Sequence, residues 1–139
     1  MILLDTSGLF AALARNQRAH PEARAALEAD PGPLLLSPFV LAELDYFLAT
    51  QAGVDAELSL LGEVAAGAYE LVPFLAGDVA AAADVVAGYR DLGIGLADAS
   101  IVVLAGRHHA DRVLTLDERH FRALRTPQGR PFTILPADA

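Results

Sequence analysis

The sequence predicts an α/β domain with a mostly parallel central sheet of four to five strands flanked by helices. Two observations support this fold class. Short apolar runs of the kind that form buried strands alternate along the whole chain with longer segments of helical periodicity. No internal repeat and no long linker divides the 139 residues. We therefore expect one domain over residues 1–136, followed by a short disordered tail at 137–139.

The first half of the chain is predicted to contain two strands and four helices. The strands lie at 2–5 and 33–37, and the helices lie at 6–14, 20–30, 38–50 and 55–66. Each strand is a brief apolar run bounded by turn residues. Pro21 marks the first position of the second helix, whereas Ser37 and Pro38 supply the preferred N-cap and first residue of the third. Asp55 is expected to cap the fourth helix, which Gly67 closes.

The second half is predicted to contain three strands and two helices. The strands lie at 69–74, 112–116 and 132–135, and the helices lie at 78–89 and 96–109. Asp78 is expected to cap the first of these helices, because acidic residues accept the free backbone N–H groups of a helix start. Gly93 and Gly95 break the chain before the second helix. Strands and helices therefore alternate to the end of the sequence.

The composition excludes several classes of protein. There is no cysteine, so the chain has no disulfide, no thiol nucleophile and no thiolate zinc site. All ten basic residues are arginine, which excludes every mechanism that depends on lysine. No apolar run approaches the ~20 residues that span a bilayer, and no basic segment precedes the N-terminal apolar run as in a signal peptide. We expect a cytoplasmic protein with no membrane partner.

The charge is strongly negative but unevenly distributed. A net charge of −8 argues against a protein that coats nucleic acids by bulk attraction. Residues 1–106 carry four arginines and fourteen acids, whereas residues 107–139 carry six arginines and four acids. This basic end is either a phosphate-binding surface or a solvated face, and charge alone favours the solvated face.

Two acids follow predicted strands at the point where each strand ends. Asp5 directly follows the first apolar run, and Asp117 follows the run RVLTL at 112–116. Because open parallel sheets bind ligands at the carboxyl ends of their strands, both acids are expected at the binding edge.

Two further acids lie on apolar stripes of predicted helices. Glu43 shares a helical face with Val40 and Phe47, and Asp98 is followed at i+3, i+4 and i+7 by apolar residues. These stripes are predicted to face the core. A lone buried carboxylate is costly, so each acid is expected to have a partner or to be neutral.

Each of the four acids also has a purely structural explanation. Asp5 and Asp98 could cap nearby helices, Asp117 could begin a turn, and Glu43 could form a buried salt bridge with an arginine. One metal site explains all four together, because carboxylates gathered at one edge repel each other unless a cation lies between them. Hard oxygen ligands without cysteine or histidine nearby suit Mg²⁺ or Mn²⁺.

Four stretches that contain these acids resemble a known family when they are taken together. They are MILLDTSGLF (1–10), SPFVLAELDYFLAT (37–50), GLADASIVVLAGRH (95–108) and RVLTLDERHF (112–121). In this order and spacing, over nearly the whole chain, they resemble PIN-domain ribonucleases, and most closely the VapC toxins of bacterial VapBC toxin–antitoxin pairs. In that family the matching positions, Asp5, Glu43, Asp98 and Asp117, form the catalytic metal site.

The resemblance implies an endoribonuclease that uses Mg²⁺ or Mn²⁺ to hydrolyse phosphodiester bonds of tRNA, rRNA or mRNA. It also implies a VapB-type antitoxin that blocks the site. Glu43 would either bind the metal directly or hold and deprotonate a bound water. Thr6, Ser7 and Thr115 are candidates for hydrogen bonds to the carboxylates or to bound waters, although Thr and Ser after a strand are also common helix caps.

The basic end gains a role from this resemblance. Arg119 and Arg122 are the first candidates for phosphate contacts, followed by Arg107 and Arg112, because arginine suits bidentate phosphate binding. His120 is expected to be a packing or structural residue rather than a contact for RNA.

Competing functions fit the sequence less well. An aspartyl-phosphate phosphatase of the haloacid dehalogenase type, or a receiver domain, would need a lysine, and the phosphatase would also need an acid where Ser7 stands. The alternative from another class is an inert module that binds metal and either RNA or an antitoxin.

The helices between residues 38 and 66 predict an oligomer. They carry more apolar residues than one face needs, which suggests a homodimer or a toxin–antitoxin hetero-oligomer. These residues are Phe39, Leu41, Leu48, Leu58, Leu60 and Leu61. An antitoxin is expected to lay an amphipathic segment into an apolar groove and to direct an arginine at the acids.

Overall fold

The chain folds around a five-stranded, wholly parallel sheet. The computed structural model describes residues 1–139. Its strands are β1 (Ile2–Leu4), β2 (Leu34–Leu36), β3 (Glu70–Leu71), β4 (Arg112–Leu114) and β5 (Thr133–Leu135). They lie in the order β3-β2-β1-β4-β5, and every neighbouring pair is parallel. The predicted α/β class and strand number are therefore confirmed.

Seven helices connect and flank these strands. They are α1 (Thr6–Leu13), α2 (His20–Ala29), α3 (Pro38–Gln51), α4 (Val54–Ala65), α5 (Ala76–Gly88), α6 (Leu96–His108) and α7 (Glu118–Ala123). A 3₁₀ turn at Arg90–Leu92 separates α5 from α6. Helices α1 and α2, α3 and α4, and α5 and α6 pack against each other as pairs.

The central strand β1 explains why the sequence opens with an uninterrupted apolar run. Leu3 pairs with Leu35 of β2 on one side and with Val113 of β4 on the other. All three residues of β1 are at most 1% exposed, within one apolar core of 33 buried residues. A strand covered on both faces gains from apolar side chains at every position. None of the seven helices combines the length and the hydrophobicity that a membrane span requires.

Helix caps follow the sequence prediction only in part. Ser37 caps α3 as expected, since its Oγ accepts the backbone N–H of Phe39 at 3.2 Å. Asp55 and Asp78 do not occupy N-cap positions, because α4 begins one residue before Asp55 and α5 begins two residues before Asp78. Asp78 instead accepts the backbone N–H of Leu75 at 2.9 Å from within the first turn. Likewise, α2 begins one residue before Pro21.

Two features of the C-terminal region differ from the prediction. Helix α7 was not expected, because six residues in a polar stretch are too few to establish a helical period. The tail was expected to be disordered, yet Asp138 accepts the backbone N–H of Ile134 at 2.8 Å and pairs with Arg122 at 2.7 Å. These contacts fold the last residues back onto β5 and α7.

The apolar excess of α3 and α4 is smaller than the sequence suggested. Leu48 and Leu60 belong to the apolar excess named from the sequence, but they are only 5% and 3% exposed and are part of the core. Leu58 and Leu61 remain exposed, as do Tyr46 and Val54 near the junction of the two helices. An apolar surface is therefore present on α3 and α4, but some of its residues differ from those named from the sequence.

Candidate active site

The four acids line one cavity of about 610 Å³ at the carboxyl edge of the sheet. Asp5 follows β1 directly, and Asp117 lies three residues after the end of the neighbouring strand β4. Glu43 reaches the cavity from α3, and Asp98 reaches it from the first turn of α6. The topology therefore brings together carboxylates that are up to 112 positions apart in sequence.

Asp5 is a buried carboxylate held by hydroxyl groups. It is 5% exposed, and its Oδ2 accepts hydrogen bonds from Thr115 Oγ1 at 2.6 Å and from Ser7 Oγ at 3.2 Å. It occupies the N-cap position of α1 but makes no capping hydrogen bond. Burial raises the pKa of Asp5, and the two hydroxyl donors partly counter this effect. Capping therefore does not explain the residue.

Hydrogen bonds of Ser7 and Thr115 connect the segments that follow β1 and β4. Their hydroxyl oxygens lie 3.2 Å apart. Thr115 Oγ1 also accepts the backbone N–H of Asp117 at 2.9 Å, and Ser7 Oγ accepts that of Leu116 at 2.9 Å. Thr6 also lines the cavity, but its Oγ1 is buried and has no hydrogen-bond partner.

Thr115→Val is expected to destabilise the fold by about 1–3 kcal/mol although valine has nearly the same shape. The change leaves the buried Asp5 carboxylate without its shortest donor and the Asp117 N–H without its acceptor. Urea unfolding at neutral pH measures the effect. Thr115→Ser keeps the hydroxyl and serves as the control. Equal stability of the valine variant and the native chain would contradict the role assigned to this hydroxyl.

Asp98 and Asp117 face each other across His120. The imidazole Nδ1 lies 2.8 Å from Asp117 Oδ2 and 3.2 Å from Asp98 Oδ2, but neither contact has the geometry of a hydrogen bond. Asp117 also caps α7, because its Oδ1 accepts the backbone N–H of His120 at 3.0 Å. Asp117, which could have begun a turn, thus begins a helix. Because the capping bond uses Oδ1, Oδ2 can face the cavity.

Burial and the neighbouring carboxylates raise the proton affinity of Asp98. The pKa of Asp98 is raised to about 6, first by burial and then by the charge of Asp5, while His120 acts in the opposite direction. Asp98 is the third residue of α6, and no side chain caps that helix. The capping explanation therefore fails for Asp98 as well.

Glu43 occupies a different position from the one predicted. The buried stripe of α3 consists of Val40, Leu44 and Leu48, whereas Glu43 and Phe47 are exposed and line the cavity. No arginine pairs with Glu43. The prediction that Glu43 faces the core is therefore wrong. Its face of the helix points to the cavity.

Three of the four predicted phosphate-binding arginines have other partners. Arg112 lies at the opposite, amino-terminal edge of the sheet and pairs with Asp30 at 3.3 Å. Arg107 donates to the carbonyl of Pro73 at 2.8 Å and to the carboxylate of Asp78 at 3.3 Å. Arg122 binds both carboxylate oxygens of Asp138 and one oxygen of Glu118.

Arg119 alone among the four is exposed without an ion pair. It lies two residues after Asp117 on α7, and no arginine lines the cavity itself. Of the four arginines predicted to contact phosphate, only Arg119 is therefore left without an ion pair.

The chemistry of the donor set fits a divalent cation. Ligand atoms of Asp98, Asp117 and His120 lie within 4.8 Å of one another, and the cavity also contains the carboxylates of Asp5 and Glu43. Burial is the main cause of the raised pKa of Asp98, and a cation would relieve the repulsion from neighbouring carboxylates that adds to it. The free hydroxyl of Thr6 and the unaligned Nδ1 of His120 are further groups without a protein partner.

His120 is the site residue that the sequence interpretation missed. It was assigned to packing because a lone histidine carries no spacing signal in the stretch TLDERHF. The available signal was its position three residues after Asp117, which brings it to the cavity once α7 is recognised as a helix.

Comparison with known proteins agrees with this architecture. The family model described as PIN domain matches residues 2–126. The chain is 44% identical to Ribonuclease VapC26 of Mycobacterium tuberculosis over 135 residues, which are 97% of this chain and 100% of the relative.

Solved structures share the fold at lower identity. The sarcin-ricin loop cleaving toxin VapC20 of Mycobacterium tuberculosis superimposes with a TM-score of 0.78 at 17% identity, covering 84% of this chain and 90% of its own. The DNA-bound VapBC of Salmonella typhimurium gives a TM-score of 0.69 at 18% identity and covers 96% of each chain. The extent of the family match and the identity to VapC26 show that this chain belongs to the PIN-domain family, within its VapC group.

Proposed function

We propose that this chain is an endoribonuclease toxin that hydrolyses RNA phosphodiester bonds with the help of a divalent cation. The observation that carries the proposal is the convergence of four carboxylates on one cavity at the sheet's carboxyl edge. Membership of the VapC group supports RNA as the substrate, since the relative with 44% identity is named a ribonuclease.

The cation is proposed to be Mg²⁺ or Mn²⁺, held by Asp5, Asp98 and Asp117. Carboxylate oxygens suit either ion, and His120 adds a nitrogen that Mn²⁺ tolerates better than Mg²⁺ does. The bound ion would supply an activated water at neutral pH and would neutralise charge on the phosphate oxygens. Thr115 and Ser7 hold Asp5 in a single orientation for this purpose.

Glu43 is proposed as the general base. Its carboxylate is exposed at the cavity and free of ion pairs, so it can take a proton from the attacking water. Arg119 is proposed to contact an RNA phosphate outside the cavity, because it is the one candidate arginine without an ion pair and it follows Asp117 by two residues.

The assembly is proposed to include a VapB-type antitoxin. The DNA-bound VapBC structure with the same fold supports this partner. Exposed apolar residues on α3 and α4 supply a surface for the antitoxin or for a second copy of the chain. We further propose a cytoplasmic location and one functional domain over residues 1–136, with 137–139 as an anchored tail.

Incubation with end-labelled total RNA tests the proposal. We expect discrete cuts in Mg²⁺ or Mn²⁺ that disappear with EDTA and in Asp5→Asn, which keeps the side-chain shape but removes the charge. Asp55→Asn, an exposed acid of α4 outside the cavity, is the matched control and should cut normally. No cleavage at all would favour an inert binding module, and cleavage that survives both EDTA and Asp5→Asn would contradict the proposed metal site.

A further inference from the structure

Two phenylalanines form a wall of the cavity beside the acids. Phe10 of α1 and Phe47 of α3 both line it, with ring centroids 6.1 Å apart and an interplanar angle of 45°. Phe47 is 40% exposed, so part of its ring is accessible from the cavity. Its exposed ring faces the same space as the carboxylates.

The wall continues directly from the proposed general base. Glu43, Phe47 and Gln51 are spaced four residues apart on α3, so they lie one above another on one helical face. All three line the cavity. Successive side chains are about 6 Å apart along the axis at 1.5 Å per residue. Phe47 therefore lies about 6 Å along the helix axis from Glu43, which is roughly the spacing between neighbouring nucleotides.

Two neutral amides border the wall. Gln51 forms no side-chain hydrogen bond, and the amide of Gln17 has only one long contact, at 3.4 Å, with Asn16. Each amide offers two donors and one acceptor group. Such groups can pair with the edge of a nucleobase, whereas they add no charge with which to hold a phosphate.

The charge of the cavity restricts what this wall can bind. Four carboxylates and no arginine line it, so a phosphate is repelled everywhere except at the proposed cation. The part of the substrate that contacts the rings must therefore be neutral, and the aromatic face of Phe47 favours a flat partner. In an RNA, only the nucleobases meet both conditions.

We propose that the Phe10–Phe47 wall stacks an unpaired nucleobase next to the scissile phosphate, with Gln17 and Gln51 contacting its edge. This inference rests on the proposed ribonuclease function and adds to it the residues that would hold a base beside the cut. A base inside a duplex is stacked on its neighbours and cannot reach the wall. Stacking on an aromatic ring is tolerant of sequence, so preference among bases comes from the amides.

Kinetics on one RNA test the stacking contact. The probe is a short RNA that spans a cut found in total RNA, offered as a single strand and annealed to its complement. We expect Phe47→Leu to raise KM roughly tenfold or more with little change in kcat, and Phe47→Trp to retain the native KM. Val79→Ala, which removes an exposed apolar side chain of α5 outside the cavity, is the matched control.

An equilibrium measurement separates this inference from the proposed function. Single-stranded RNA carrying 2-aminopurine is titrated with Asp5→Asn, in which cleavage is suppressed, and with Asp5→Asn combined with Phe47→Leu. Stacking quenches the fluorescent base, so we expect quenching only when Phe47 is present.

Three results would overturn the inference even if the chain cuts RNA. They are equal quenching in both proteins or none in either, equal rates on single strand and duplex, and an unchanged KM in Phe47→Leu. A change of oligomeric state in Phe47→Leu with unchanged RNA affinity would assign the wall to a protein interface instead.

Discussion

Replacing Asp98 by Asn is expected to abolish RNA cleavage and at the same time to stabilise the metal-free chain. Cleavage should fall by more than about 100-fold, since changing even the partners of metal ligands typically costs 10–100-fold. The stabilisation follows from removing a carboxylate that lies against three others. Function and stability therefore make opposite demands on this position.

The sign of the stability effect follows from the direction of the pKa change. The carboxyl of Asp98 has a pKa of about 6 in the folded chain against 3.8 in the unfolded one. The folded chain thus binds the proton more tightly, so stability is highest below pH 4 for this group and is lost as the pH rises through 6. At neutral pH the loss is on the order of 2–3 kcal/mol.

Urea unfolding from pH 4 to pH 8 in EDTA measures this difference. Asp98→Asn should be more stable than the native chain at pH 7, and the two should converge near pH 4. Added Mn²⁺ should then stabilise the native chain more than the variant, because a ligand that binds only the folded state favours folding. A variant that is less stable than the native chain at pH 7 in EDTA would contradict the repulsion argument.

The sequence was informative at several positions where a local rule decides the structure. The apolar run of β1, the Ser37 cap of α3 and the acids after β1 and β4 each follow from short-range patterns. The parallel topology then fixes which strand ends are neighbours. For this reason the sequence alone could assign Asp5 and Asp117 to the same edge of the sheet.

The sequence failed wherever partners are distant in the chain or a signal is weak. Nothing local indicates that Arg112 pairs with Asp30, 82 positions away, or that Arg122 holds the C-terminal Asp138. His120 was misread because α7 is too short for its period to be visible. The face of Glu43 was misread because a cavity wall and a core stripe have the same helical spacing.

Gly8→Ala is expected to be the most destabilising small substitution in α1. A Cβ at this position would lie 2.3 Å from the carbonyl oxygen of Leu114 and 2.7 Å from the backbone nitrogen of Thr115. Both atoms belong to the main chain at the end of β4, which cannot rotate away. The usual advantage of alanine in a helix, about 1 kcal/mol, cannot offset this clash. We expect a loss of about 3 kcal/mol or more.

The same clash should disturb the site, because α1 must move away from β4 to admit the methyl group. Movement there lengthens the bonds that Asp5 makes to Leu114 and Thr115. Gly62→Ala in α4, where no atom lies within 4 Å, is the matched control and should stabilise the chain by about 0.5–1 kcal/mol. Thermal unfolding of both variants in EDTA compares them. Equal effects of the two substitutions would mean that α1 and β4 do not pack as closely as the structure shows.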